Sequence, residues 1–528
     1  MRIGIDFDNT IACYDKACIT LARELALVDQ TFSGSKRQVS EFIQAGPNGK
    51  AEWMRLQGIL YGSYITHAVP MPGVKKFLKR MRNEGFEILI VSHKTKYGHF
   101  DADRVNLRDA AFNWLSENGF FSFIKRENVF FEPTRKGKVV RIGKLGLRAF
   151  IDDLEEVFLE SGFPKNVDAF LFFPSGKASP GEYEVCQNFE MVGTRMIEKY
   201  VFQSRVMHLT GADIFEIQPI LTGKNNRVYR VETNKGAFAL KWYLRNNTHT
   251  RDSIFTEFSA LSFLVQHDVA DVPTPLDHFR DFAIYEWIDG DKIEVPGDDD
   301  IDAAIRFVRL LHTLSKLRTA KDLPLATEAC LSPIELIRQI KERLKNLKTQ
   351  TSDQPKIANF LRDCSTVLGR EEVVVRAELG GAYKRDLKPH YRTLSPSDFG
   401  FHNALRRADG STVFLDMEYF GWDDPVKLIC DFILHPGMSL TVAQKERFKG
   451  ALSSFFASRD ENFSKRLRLL KRLYGLRWCM IIMNEFLPEH WERRAFAGVV
   501  NIEAARARQF KKARLLFNAI FTNPGIEL

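Results

Sequence analysis

The chain predicts an α/β doubly wound parallel sheet followed by an α+β domain of two lobes, and two changes of pattern along it carry that expectation. Over the first ~175 residues short apolar strands alternate with amphipathic stretches, as parallel strands joined by crossover helices do. From about residue 205 strand-like runs come consecutively, and beyond Asp302 almost everything reads as helix. A small β-rich lobe followed by a large helical lobe is an α+β arrangement with a cleft between them.

The first region offers strands at Ile3–Phe7, Glu87–Val91, Asn128–Phe131, Ala149–Ile151 and Ala169–Phe173. Gly73–Asn83 and Asp103–Asn118 read as helices between them. The excursion from Tyr14 to Met71 is longer than one crossover helix and predicts a helical cap over the strand tips. Pro174 to Gly181 is turn-rich and marks the exit from the domain. The second region offers strands at Val228–Glu232, Ala237–Trp242 and Phe282–Trp287, interrupted by a helix over Ser253–Gln266. A short strand pair is expected around residues 400 to 416, and Asp298-Asp299-Asp300 reads as a helix N-terminal cap. The domains are therefore expected at 1–190 and 205–528, since 528 residues exceed what one core organises.

Composition narrows the class. Hydrophobic residues make up 45% and aromatics 12%, ample for packed interiors. No apolar run reaches the roughly 18–20 residues that span a bilayer, and Met1-Arg2 leads directly into Ile3-Gly4-Ile5-Asp6, unlike a signal peptide. A cytoplasmic protein without a membrane partner is expected. Seven Cys without C-x-x-C spacing read as reduced thiols. The net charge of +9 is moderate, and its concentration in helices such as Lys465-Arg466-Leu467-Arg468 fits anionic phosphate substrates better than nucleic acid.

In Asp6-Phe7-Asp8-Asn9-Thr10 two carboxylates lie two apart at a strand end, so both side chains point the same way. One can attack a phosphoryl group and the other donate a proton to the leaving oxygen, and together they can hold Mg²⁺. The alternative is an acidic strand end with a helix N-cap at Asn9 or Thr10. Three further features weigh for chemistry: Ser92 at a second strand end, Asp152-Asp153 at a third, and Lys136-Gly137-Lys138 opening a helix upstream of that one.

Residues 1 to about 175 thus resemble the haloacid dehalogenase superfamily of phosphatases and phosphotransferases, with all four motifs in order. The resemblance implies Asp6 as nucleophile, Asp8 as general acid and then base, and Ser92 as a phosphate ligand. It implies Asp152 and Asp153 as Mg²⁺ ligands with Asp6, and a lysine at the phosphate. Lys138 fits the spacing best, with Lys136 and Lys144 as alternatives.

The second region carries another set. Leu221 to Arg227 is a turn in which Gly223 and Asn226 can approach phosphates, and Lys241 lies inside an apolar strand with Glu257 in the next helix. Phe282–Gly290 reads as a strand entering a hinge whose backbone can bond an adenine. Asp398 is followed five residues later by Asn403, a spacing that suits a base for a hydroxyl and a metal ligand, and Asp416 ends a strand.

This set resembles the aminoglycoside phosphotransferase and choline kinase family, a branch of the protein-kinase-like fold, over about residues 205–528. It implies ATP and Mg²⁺, with Lys241 on the α/β-phosphates, Glu257 orienting it, Asp398 as base, and Asn403 and Asp416 on the metal. The family commonly has His-Gly before the catalytic Asp, whereas this chain has Pro396-Ser397, which touches the shape of the loop more than its chemistry. His402 reads as a packed or solvent-facing histidine, and Cys430-Asp431 as a structural buttress.

The expected function is bifunctional: a Mg²⁺-dependent phosphatase joined to an ATP-dependent kinase for a small-molecule hydroxyl, such as a sugar or amino alcohol. The alternatives are an aminoglycoside-inactivating phosphotransferase and a domain that only binds. The basic run Lys465, Arg466, Arg468, Lys471, Arg472 and Arg477 weighs against a polycationic acceptor. Small-molecule partners are expected, with oligomeric state open.

Overall fold

The computed structural model describes residues 1–100, 103–174, 181–220, 226–243, 253–488, 490–491, 494 and 502–522. It divides into two compact units, Met1–Arg205 and Val206–Leu528. Gly223 and most of the turn-rich stretch after Pro174 lie outside the described residues.

The first unit is built on a six-stranded sheet in the order Val129–Glu132, Glu87–His93, Arg2–Ile5, Ala149–Asp152, Asp168–Phe172, Glu184–Cys186. Every pairing in it is parallel. Parallel strands are covered on both faces, which is why they read as continuous apolar runs; Ile3, Ile5, Ile90, Val91, Phe150 and Ile151 are fully buried. The first strand is central: the chain adds Glu87–His93 and Val129–Glu132 on one side of it, then returns to add Ala149–Asp152 and the later strands on the other, which makes it the switch point where open α/β sheets hold their ligands. Ile5 pairs with both Ile90 and Ile151, so Asp6, Ser92 and Asp152 leave the sheet at the same end.

The helix Val74–Asn83 buries Val74, Phe77, Leu78 and Met81, a stripe of i, i+3, i+4, i+7 spacing against the sheet. The excursion after Tyr14 forms three helices, Asp15–Glu24, Lys36–Gln44 and Gly49–Tyr61. Its ends are tied by the antiparallel pair Ala12–Cys13 and Val69–Pro70, so it leaves and rejoins the sheet domain at one point. The sixth strand, Glu184–Cys186, has no counterpart in the expected set: it is three residues long with two exposed, too short for a periodic signal.

The second unit begins with a five-stranded antiparallel sheet in the order Pro275–Phe279, Phe282–Glu286, Gly236–Trp242, Arg227–Thr233, Ile214–Ile220. The two outer strands are additions to the expected three. Each contains a proline, which a sheet tolerates at its edge, where one side of the strand needs no donors. The helix Ser253–Gln266 follows as expected. The helical part comprises Asp298–Leu314, Pro333–Gln350, Pro355–Leu379, Pro425–Leu434, Val442–Ala457, Phe463–Ile482 and Ile502–Phe521 around a single large apolar cluster.

Two small antiparallel pairs frame the loop of interest. Thr393–Ser395 pairs with Gly421–Asp423, and Ala404–Arg406 pairs with Thr412–Phe414. Residues 396–403 therefore run between two anchored strands. The N-cap of Asp298–Leu314 is Gly297, not the aspartates; Asp300 Oδ2 accepts from the Gly297 N–H at 2.7 Å. Asp300 also receives Arg406 Nε at 3.1 Å, which ties the helix to the loop's second strand. Among the described residues no helix is long and apolar enough to cross a membrane.

Candidate active sites

In the first unit Asp6 follows the central strand directly, and its N–H donates to Ile151 O at 2.8 Å. Lys138 Nζ lies 2.5 Å from Asp6 Oδ1 and 2.6 Å from Asp152 Oδ2. It comes from the helix Arg135–Lys144, capped by Thr134, whose hydroxyl accepts from Gly137 N at 3.0 Å. Lys138 is fully buried, whereas Lys136 and Lys144 are exposed. Carboxylate oxygens of Asp6, Asp152 and Asp153 lie within 4.8 Å of one another. Asn9 Nδ2 donates to Asp153 at 3.2 Å and Thr10 Oγ1 at 3.4 Å, so these residues brace an acid of the site instead of capping a helix.

Asp8 stands apart from that cluster. Its carboxylate is 2.9 Å from Lys94 Nζ and accepts from Tyr14 OH at 2.7 Å. Burial alone would raise the Asp8 pKa, but Lys94 and the Tyr14 bond more than offset it and hold the group below the usual carboxylate range. Asp152 goes the other way: burial, with the charge of Asp6 added, pushes it up to about 7 against the opposing pull of Lys138. Asp153 is raised by burial and by Asp152 and Asp6.

Two lysines at this site escaped sequence reasoning. Lys94 is two residues beyond Ser92, a spacing that strand alternation could have flagged. Lys36, from the helical excursion, reaches Asn9 Oδ1 at 3.1 Å and Tyr61 OH at 2.5 Å, and nothing local in the sequence marks it. Ser92 is buried one residue before the end of the strand Glu87–His93. Three close acids, two of them pushed toward neutrality by one another and by burial, suit a hard divalent cation such as Mg²⁺; Asp6, Asp152 and Asp153 would hold it.

In the second unit Lys241, on the central strand Gly236–Trp242, places Nζ 2.7 Å from Glu257 Oε2 and 2.7 Å from Asp416 Oδ1. Glu257 is held by Tyr243 OH at 2.6 Å, and Tyr243 by Tyr285 OH at 2.8 Å. Burial opposes the charge on Lys241, but Asp416 and Glu257 overcome it and keep it an ammonium. Asp416 sits at φ 62°, a turn that aims its carboxylate back at the lysine.

Asp398 Oδ1 lies 3.2 Å from His402 Nε2 and 3.4 Å from His435 Nε2, and the two imidazoles stack at 3.7 Å and 9°. Gly437 N–H donates to His435 Nδ1 at 3.0 Å, so His435 Nε2 carries its proton toward Asp398. Burial works to raise Asp398, yet the bonds from His402 and His435 bring it well below the ordinary carboxylate value. His402 is therefore a partner of Asp398, not a bystander. Asn403 Nδ2 donates to Asp398 O at 3.1 Å, and Leu415 N–H to Asn403 O at 2.8 Å, which joins the loop to the strand before Asp416.

Glu418 is a further acid that sequence reasoning passed over, although Asp416-Met417-Glu418 repeats the two-apart spacing of Asp6 and Asp8. Its Oε2 accepts from Asn226 Nδ2 at 3.0 Å, while its buried Oε1 has no hydrogen-bond partner. Burial, with Asp416 added, pushes it up to about 7. Asp416, Glu418 and the Asn403 amide oxygen fit a hard cation, and the orphaned oxygen is the observation that asks for one.

The basic run in Phe463–Ile482 does not make a cationic surface for an acceptor. Arg466 is paired with Asp424 and Asp460, Arg477 with Glu328 and Asp431, Arg472 with Glu371, and Lys465 and Arg468 with Glu378. Acids brought in by the fold pair these five side chains, so they carry no weight against a polycationic substrate.

Both sites predict one response to metal and pH. Asp152 and Glu418 have folded pKa values raised above the ordinary 3.8 and 4.5. The stability each contributes is full below its unfolded pKa and is lost as pH climbs through about 7. Mg²⁺ takes the place of the proton, so it should raise Tm more at about pH 8 than at about pH 5. Thermal melts with Mg²⁺ and with EDTA measure this; equal increments at both pH values would count against metal at these carboxylates.

Residues 216–452 match the family described as "Phosphotransferase enzyme family", under half of the chain. The matched residues lie within the second unit, which is similar to that phosphotransferase family. Similar solved structures include a choline kinase from Cryptosporidium parvum at 14% identity, covering 57% of this chain and 90% of that one with a TM-score of 0.37. An aminoglycoside phosphotransferase in complex with gentamicin is 13% identical, covering 60% of this chain and 98% of its own, with a TM-score of 0.42. A choline kinase from Streptococcus pneumoniae is 13% identical, covering 61% and 99%, with a TM-score of 0.40. No curated protein matches. The family match does not extend to residues 1–205.

Proposed function

We propose that the second domain, 205–528, transfers the γ-phosphoryl group of ATP to a hydroxyl of a small molecule. The observation that carries this is Lys241 Nζ held at 2.7 Å from both Glu257 and Asp416. Such an ammonium, fixed between two acids, is ready to exchange part of its pairing for nucleotide phosphates. The acceptor hydroxyl gives its proton to Asp398 as its oxygen bonds to the γ-phosphorus, and the bond from that phosphorus to the oxygen bridging it to the β-phosphate breaks to leave ADP. Asn403 and Asp416, with Glu418 as a further donor, would hold Mg²⁺, which would neutralise charge on the nucleotide phosphates. Gly223 and Asn226 are proposed beside the phosphates; Asn226 is engaged by Glu418.

For the first domain, 1–190 with the helix beyond it, we propose a haloacid dehalogenase-like phosphatase. Asp6 attacks the phosphorus and the bond to the leaving oxygen breaks; Asp8, ionised at rest beside Lys94, takes up a proton from solvent before it gives one to that oxygen. Asp8, ionised again and held by Lys94 and Tyr14, then takes a proton from the water that releases phosphate from Asp6. Ser92 and Lys138 hold the phosphoryl oxygens, and Asp6, Asp152 and Asp153 would hold Mg²⁺, which would offset their charge. The support is the convergence of these carboxylates with buried Lys138 at the sheet's switch point.

The test is a panel of hydroxyl acceptors and of phosphomonoesters, scored separately for ATP-dependent phosphorylation and Mg²⁺-dependent phosphate release. Activity on aminoglycosides alone would select the antibiotic-modifying reading, which the neutralised basic run leaves open. Release without transfer, or transfer without release, would reduce one domain to a binding module.

A further inference from the structure

We propose that Lys427 and Ser397 form a positioning device for Asp398, an assignment that rests on the kinase reading of the second domain. Ser397 precedes Asp398 and has φ 68°, in the left-handed region that favours glycine. Asp398 N–H donates to Pro396 O at 2.9 Å across it. An i to i+2 bond around a residue of positive φ is the rarer, strained form of γ-turn. That turn sets the direction in which the Asp398 side chain leaves the loop.

A serine at such a point needs something to hold it there. Its N–H donates to Ser395 Oγ at 3.1 Å, and its hydroxyl donates to Thr327 O at 3.3 Å. The same hydroxyl accepts from Lys427 Nζ at 3.0 Å. Lys427 is fully buried in the helix Pro425–Leu434, and its ammonium is also 2.9 Å from Asp423 Oδ2 and 3.1 Å from Asp431 Oδ2.

Those carboxylates are themselves fixed. Asp423 Oδ1 accepts from the N–H groups of Cys330 at 3.0 Å and Asp424 at 2.8 Å, and Asp431 Oδ1 accepts from Trp478 Nε1 at 2.8 Å. One ammonium therefore serves two anchored acids and spends its remaining donor on the residue before the base. Strain in a backbone persists only where its surroundings over-determine it, and at functional sites it is part of the mechanism. The departure at Pro396-Ser397 thus has a compensation: a glycine would adopt the turn freely but give Lys427 nothing to grip.

The experiment compares Ser397→Gly and Ser397→Ala in the full chain, since removing Lys427 would leave two buried acids unpaired and endanger folding. The probes are ATP with Mg²⁺ and, as acceptors, choline, ethanolamine and gentamicin, with ADP release as the readout. Both variants lose the grip of Lys427, so both should lose roughly ten-fold or more in kcat with the KM for ATP little changed. Their stabilities should differ, because glycine relieves the strain and alanine keeps it; Ser397→Gly should melt above Ser397→Ala. A shared loss of kcat across unequal Tm values is what a purely structural role would not produce. An active wild type with a fully active Ser397→Gly, or a kcat that merely follows Tm, overturns the assignment while the kinase reading stands. A wild type that releases no ADP with any acceptor overturns the kinase reading, and the assignment with it.

Discussion

Asp398→Asn is expected to lower ATP-dependent turnover by roughly 10²- to 10⁴-fold while ATP binds nearly as well as to the wild type. Removal of a positioned base costs on that scale, and Asp398 is the acid placed for the role. It is held from three directions: by Asn403, by His402 and by His435, whose tautomer Gly437 fixes. Asparagine is the informative replacement. Its amide oxygen still accepts from the two imidazoles, so the loop keeps its partners, whereas alanine would strand them at a cost of about 1–3 kcal/mol for each donor left unpaired. Lys241, Glu257 and Asp416 are untouched, which is why nucleotide affinity should hold. Turnover from ADP release and affinity from calorimetry separate the two quantities. A variant with near wild-type turnover would remove Asp398 from the mechanism; a variant that loses ATP affinity to the same degree would place it in binding instead.

The parts of both sites that were legible in the sequence share a physical cause. A parallel strand buried on both faces shows as an apolar run, and its first polar residue marks where it emerges; Asp6, Ser92 and Asp152 were found that way. Lys241 stood out because a charged residue inside an apolar strand has few reasons to be there. Its partner Asp416 is 175 positions away, yet a strand end followed by an acid was visible on its own.

What stayed hidden was pairing created only by the fold. His435 reaches Asp398 from the end of a later helix, Lys36 arrives from an insertion, and Lys427 looks like an ordinary helix lysine until Asp423, Asp431 and Ser397 close on it. The basic run around Arg472 misled for the opposite reason: its neutralising acids, such as Glu371 about a hundred residues earlier, are invisible locally. Edge strands failed because Ile214–Ile220 and Pro275–Phe279 alternate poorly and contain proline, which edges permit and centres do not.

The second large effect belongs to the other unit. Asp6→Asn should abolish Mg²⁺-dependent phosphate release and leave ATP-dependent transfer at the wild-type rate. The side chain keeps its shape, so the central strand, the bond from its N–H to Ile151 O, and the neighbouring sheet are undisturbed. What changes is charge. A neutral amide is no nucleophile toward phosphorus, and it removes one of the three carboxylates that converge within 4.8 Å. Lys138, now facing Asp152 alone, keeps a partner at 2.6 Å and remains satisfied, so the variant should fold. Loss of one like charge also relieves Asp152 and Asp153, each of which Asp6 helps to raise, so the Mg²⁺-dependent gain in Tm should shrink along with activity. Phosphate release from a phosphomonoester panel, ADP release with an acceptor, and Tm with and without Mg²⁺ are the three readouts. A folded Asp6→Asn protein that still releases phosphate at the wild-type rate would exclude the aspartyl-phosphate route. A folded variant in which both activities fall together would show that the two units do not work as separate sites.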